Sequence, residues 1–205
     1  MRHLLIASAA AIALASAASA EVRTVTAFDA ISASDRIPVE VTQGDAFRVE
    51  VIGSDAARVR TELDGETLEI RQRNRPWFGG TPRIDARVIV TMPSVVGLAA
   101  SRGASIRAES IRGRDVSLAA SMGGAIDISG ACQTLSVSAS MGASIDADAF
   151  QCATANISAS MGADVQVFVS RTYNASASIG GAVRVDGGAQ QGGSSASMGG
   201  AIVTN

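Results

Sequence analysis

The chain has 205 residues, a net charge of −2, 47% hydrophobic residues and only 3% aromatic ones. So balanced a charge gives no general attraction to nucleic acid. There is no lysine, and the single histidine, His3, falls in an N-terminal leader. Beyond that leader the chain therefore lacks the groups for Ser-His or Cys-His nucleophiles, Schiff bases or histidine-bound metals.

Residues 1–20 read as a secretory signal peptide. Arg2 and His3 give a positive start, Leu4 to Ala17 an apolar run too short to span a bilayer, and Ala18-Ser19-Ala20 a small-x-small cleavage site. The mature chain is expected to begin at Glu21, in a periplasmic or extracellular location, with no transmembrane segment after signal removal. Residues 21–205 are expected to form one β domain, 21–95 as capping rungs and 96–205 as six repeats.

Within 21–95 the pattern is strand-like throughout. Thr24 to Phe28, Ile37 to Val41 and Ala46 to Ile52 alternate apolar and polar residues. Val59 to Leu63 and Thr67 to Ile70 flank Asp64-Gly65, a two-residue turn signal, and predict a hairpin. Asn74 to Pro82 reads as a loop carrying the only tryptophan, Trp77. Ala86 to Pro93 is a further strand that feeds the first repeat.

From there one phrase recurs: Ala-Ser-x-Gly-small-x-Ile/Val, anchored on Ser101, Ser121, Ser140, Ser160, Ser178 and Ser197, at spacings of 20, 19, 20, 18 and 19 residues. A fixed period of this length signals a solenoid. Five residues after each anchor stand Ile106, Ile126, Ile145, Val165, Val183 and Ile202, and the residue before each anchor is always alanine. Inside a repeat the alternation has period two, which is strand periodicity. Gly103, Gly123, Gly142, Gly162, Gly180 and Gly199, two residues after each anchor, mark a corner. Each repeat thus reads as strand, corner, strand and a looser return. The predicted fold is all-β, a right-handed parallel β-helix with rungs of about 19 residues. Met122, Met141, Met161, Ile179 and Met198 fall at an odd offset from the anchors, so they are expected to point inward as corner filler. Cys132 and Cys152 each lie eight residues before an anchor, in one column of adjacent rungs, which predicts a disulfide between them.

The succession Phe28-Asp29-Ala30-Ile31, Val39-Glu40-Val41-Thr42-Gln43-Gly44-Asp45, Leu63-Asp64-Gly65-Glu66-Thr67-Leu68-Glu69-Ile70 and Val88-Ile89-Val90-Thr91-Met92-Pro93, with a Gly-rich ladder after it, resembles the auto-transporter adhesin head GIN domain family. The resemblance runs from about Ala27 to the C-terminus. It implies an exported bacterial β-helix with an adhesin-like role and carries no catalytic motif across. The strict Ala-Ser-Met-Gly ladder departs from the family, whose turns are more often of a Gly-Ser-Gly-Asp type.

Three sets of residues are candidates for binding. The outward serines Ser138, Ser140, Ser158, Ser160, Ser176 and Ser178 form a flat hydroxyl face that suits a periodic ligand such as a polysaccharide, or ordered water. Arg71, Arg73 and Arg75 around Trp77 form a patch suited to a polyanion. Asp127 and Asp146 are expected to be like-charged neighbours one rung apart, which a Ca²⁺ ion or the flanking Arg107 would relieve. The plain reading of all three is solvated surface. No catalytic residue, cofactor or resident metal is expected. The sequence favours an exported, non-enzymatic envelope module that binds a glycan or another envelope component. The alternatives are a β-helix polysaccharide-active enzyme, and a protein that self-associates end to end through the helix ends.

Overall fold

The computed structural model describes residues 20–23, 25, 27–73 and 82–205. Its strands are β1 (Ala20–Arg23), β2 (Ala30–Ala33), β3 (Pro38–Gln43), β4 (Arg48–Ile52), β5 (Val59–Asp64), β6 (Thr67–Gln72), β7 (Arg87–Met92) and β8 (Gly97–Ser101). They continue through β9 (Ser105–Ser121), β10 (Ala125–Ala139), β11 (Ser144–Ser160), β12 (Asp164–Ser178), β13 (Ala182–Asp186), β14 (Gln190–Ser197) and β15 (Ala201–Thr204). All fifteen belong to one sheet wound into a parallel β-solenoid.

The repeats stack as their period requires. β9, β10, β11 and β12 pair parallel and in phase, with Ile106, Ile126, Ile145 and Val165 in one register line and Leu118, Val137, Ile157 and Ala175 in another. Both lines are buried, as is the alanine column Ala100, Ala120, Ala139, Ala159 and Ala177. With alanine in every rung the core is thin, and Tyr173 and Phe150 are the bulkiest side chains fully buried in it. The arm expected as a loose return is instead continuous strand: β9 to β12 run 15 to 17 residues each. Variation in repeat length is absorbed by bulges, such as the register shift between Ile128 and Gly130.

Each anchor serine opens a tight turn. The Gly124 N–H donates to the Ser121 carbonyl at 2.9 Å, and the same bond recurs at the other anchors. Both central residues of every turn have positive φ, for example Met122 at 49° and Gly123 at 72°. The corners are also bonded along the stack. The N–H groups of Gly103, Gly123, Gly142, Gly162 and Gly180 each donate to the carbonyl of Met122, Met141, Met161, Ile179 and Met198 respectively, one rung on.

This geometry corrects the reading of the methionine column. Met122, Met141 and Met161 are 45–46% exposed and Met198 is 77% exposed, so they form an outer ridge rather than filler. The parity rule fails because two successive positive-φ residues reverse the chain and break the alternation on which it rests.

A seventh corner precedes the six. Asp35 (φ 65°) and Arg36 (φ 60°) follow Ser34 in the same geometry, and the Arg36 N–H donates to the Arg102 carbonyl at 3.2 Å. Its arms are β2 and β3, which pair with β8 and β9. Between this corner and the next the chain detours outward. β6 and β7 extend the stack beyond β2 and β3. β5, β4 and β1 then close that end with antiparallel pairings. The strands of the first third thus end the stack with antiparallel pairings. Of the strand expected over Thr24 to Phe28, Thr24 and Thr26 lie outside the described residues and Val25, Ala27 and Phe28 are not in a strand; Phe28 is buried against Phe47 at 5.2 Å between ring centroids. The hairpin forms with Gly65 and Glu66 as its turn, one residue later than expected. At the opposite end β14 and β15 pair only inward, with β12 and β13, and every residue of β14 is exposed.

Candidate binding surfaces

The outer face of the long arms alternates short polar side chains with buried apolar ones. Ser136, Ser138, Asn156, Ser158, Asn174 and Ser176 are exposed and lie in register across β10, β11 and β12. Because these side chains are short, the face holds an open trough of about 580 Å³ that extends from Ser117 on β9 to Ser195 on β14. Its floor is the sheet itself at Leu118, Val137, Ile157 and Ala175. The Asn174 side chain donates to Asn156 Oδ1 at 3.0 Å, a rung-to-rung amide bond along one rim. Among the described residues the hydroxyls of Ser138, Ser158 and Ser176 have no protein partner, so they are open to solvent or ligand. The anchors Ser140, Ser160 and Ser178 share the face but are only half-exposed, because the corner folds over them.

The acidic column behaves as charge spacing predicts. Asp127 and Asp146 are register partners, and the Arg107 guanidinium takes Asp127 at 3.1 Å. Arginine thus supplies the compensation that a Ca²⁺ ion would otherwise give. Among the described residues no group of three His, Cys, Asp or Glu side chains is placed to hold a metal. Asp146 keeps the unrelieved repulsion. Partial burial raises its pKa, and the neighbouring Asp148 and Asp127 add to the rise, against the lowering effect of the Asp148 N–H. A carboxylate whose pKa is raised on folding lowers stability while ionised, and that penalty fades as pH falls through the folded pKa. Asp146→Asn is therefore expected to raise the urea midpoint at pH 7, with the gain shrinking at pH 4. An equal gain at both pH values would contradict this assignment.

Of the predicted arginine patch, Arg71 and Arg73 are described, while Arg75 and Trp77 lie outside the described residues. Arg71 and Arg73 share the outer face of β6 and its continuation, and they line a second cleft with Arg60 on β5 and Arg102 at the second corner. Sequence reasoning missed Arg60 and Arg102. The Glu62 carboxyl in this cleft is held below the usual range by hydrogen bonds from Arg60 and then Arg71.

The predicted disulfide is present: Cys132 and Cys152 are bonded across the β10–β11 register, with Cα atoms 4.5 Å apart. No helix among the described residues is long and apolar enough to cross a membrane.

A family model described as "Putative auto-transporter adhesin, head GIN domain" matches residues 27–189. Two solved structures share the fold. One, described as a putative adhesin from Bacteroides fragilis, is 15% identical, with 93% of this chain and 98% of that chain covered and a TM-score of 0.70. The other, described as a putative adhesin from Parabacteroides merdae, is 13% identical, with 91% and 95% covered and a TM-score of 0.51. No curated protein sequence matches the chain.

Proposed function

Since the chain belongs to the auto-transporter adhesin head GIN domain family, we propose that it is an exported, non-enzymatic binding module of the cell envelope that holds an extended glycan in the serine trough. The observation that carries this reading is the trough itself. Rows of hydroxyls and amides repeat at the strand spacing, about 4.8 Å, on a sheet too regular to rearrange. A linear polymer of sugars offers hydroxyls along its length and apolar ring faces for the floor. Little side-chain entropy is lost on binding, because serine and asparagine are short and their backbone is fixed. Export is supported by the disulfide, which forms and persists in oxidising compartments, and by the leader-like first twenty residues.

The test is a glycan and polysaccharide array probed with residues 21–205, with and without Ca²⁺. Binding to linear glycans is expected in both conditions. Combining Ser138→Val, Ser158→Val and Ser176→Val keeps strand propensity and removes three hydroxyls, and it should weaken binding by about tenfold or more, since a site built for hydroxyl contacts loses them together. A blank array, together with a solution mass that rises with concentration, would replace this reading with assembly through the uncovered β14–β15 end.

A further inference from the structure

At the capped end, four arginines converge on one cleft of about 740 Å³: Arg60, Arg71, Arg73 and Arg102. Their arrangement is unusual for surface charge. Arg60 and Arg71 stand directly opposite each other on β5 and β6, a placement that is unfavourable for like charges. One carboxylate, Glu62, serves both, pairing with Arg71 at 2.5 Å and with Arg60, and Glu69 adds a longer contact to Arg71 at 3.7 Å. Across the cleft, Arg102 is held through its Nε, which donates to Asp35 Oδ1 at 3.1 Å. Asp35 is 3% exposed, and it is fixed in turn by Gln72, whose side-chain amide donates to the Asp35 carbonyl at 2.7 Å. Gln72 is buried as well, and the same amide donates to the Pro82 carbonyl at 2.9 Å. Arg73 has no carboxylate partner among the described residues. The lining carries four guanidinium groups and two carboxylates, Glu62 and Asp35, and Glu69 beside Arg71 makes a third, which leaves the cluster one positive charge in excess.

The ion pairs of Glu62 with Arg60 and Arg71 are exposed and add little stability. What they do is orient the forks. Guanidinium groups held from behind by carboxylates present their remaining N–H donors outward, in the planar geometry that matches phosphate or carboxylate oxygens. The cleft is larger than a bare ion needs, and its volume falls in the range of small-molecule sites. We propose that it binds an oxyanion group, phosphate or carboxylate, carried on a sugar. This site is separate from the serine trough and does not depend on the reading of that trough.

The experiment is calorimetric titration of the purified chain at low salt with glucose 6-phosphate, with digalacturonate and with neutral maltose. One or both anionic probes should bind and maltose should not, and the tighter of the two names the source of the oxyanion. Raising the salt to about 0.5 M should weaken the interaction, because exposed charges are screened within a few ångströms there. Arg71→Gln combined with Arg73→Gln should reduce affinity about tenfold or more, as expected when charge-assisted contacts are lost. Arg73→Gln alone, which breaks no ion pair among the described residues, should reduce it several-fold without changing the thermal midpoint. Arg184→Gln, on β13 and outside the cleft, should bind as the parent does. Failure of both anions to bind, equal binding of maltose, or full affinity in the double variant would each overturn the proposal.

Discussion

Replacing Gly130 by alanine is expected to remove about 3 kcal/mol of stability, as strained backbone and overpacking combine at one residue. Gly130 stands at φ 129°, where the β10 register resumes after its bulge, opposite Ile111 on one side and Phe150 on the other. A Cβ there would lie 2.0 Å from the Ile111 carbonyl oxygen and 2.7 Å from the Ile111 nitrogen. The obstacle is backbone in the neighbouring rung, so no side chain can swing aside. The rung itself would have to move, and with it the pairings on both sides. Gly123 is the matched control. It also has positive φ, but a Cβ there meets nothing within 4 Å. Alanine at Gly123 should therefore cost only the left-handed penalty of about 1–2 kcal/mol. Urea unfolding of the two variants beside the parent decides the matter. Equal losses would mean that the bulge can relax, and that the solenoid is softer than its register implies.

That contrast also explains which parts of the molecule could be read from the sequence. Wherever a residue's side is set by strand alternation, it was legible: the apolar columns, the outward serines and the Cys132–Cys152 pairing all follow from counting by twos and by rungs. Where the chain leaves the strand, counting fails. Met122 and its column turn outward because the corner reverses direction between the anchor and the next arm. The corner at Ser34 carries the two ends of the pattern, with Ala33 before it and Val39 five residues after it. It was hidden because Arg36 occupies the glycine position and the detour through β4–β7 separates it from the next anchor. The arginine cleft was hidden by one residue of hairpin register. A turn at Asp64-Gly65 would set Arg60 opposite Glu69, an ordinary ion pair. The observed turn at Gly65-Glu66 sets Arg60 opposite Arg71 and so gathers like charge at one place. A single-residue slip changes every cross-strand partner, which is why sites that depend on pairing are harder to read than cores. Arg102 comes from another corner altogether, and only the stacking of Asp35 beneath it brings it to the cleft.

Opening the disulfide is the second change with a large expected effect. Cys132 and Cys152 are separated by 20 residues, one full rung, and closing a loop of that size restricts the unfolded chain by about 3 kcal/mol. In the folded state their columns are already adjacent, so Cys132→Ala with Cys152→Ala should leave the rungs stacked and lose mainly the unfolded-state restriction. The parent under reducing conditions should lose a similar amount, because Cys152 is buried and behaves as a small apolar residue whether bonded or not. The loss should appear as a lower urea midpoint, and as a steeper dependence of free energy on urea if the unbridged chain expands further when unfolded. The bridge also joins β10 to β11, the two arms that carry Ser136, Ser138, Asn156 and Ser158. If those rungs separate transiently without it, the trough loses its spacing at the centre, and glycan affinity should fall along with stability. If midpoints with and without the bridge coincide, the pairing of the β10 and β11 arms already holds these rungs together, and the disulfide adds nothing that the sheet does not supply.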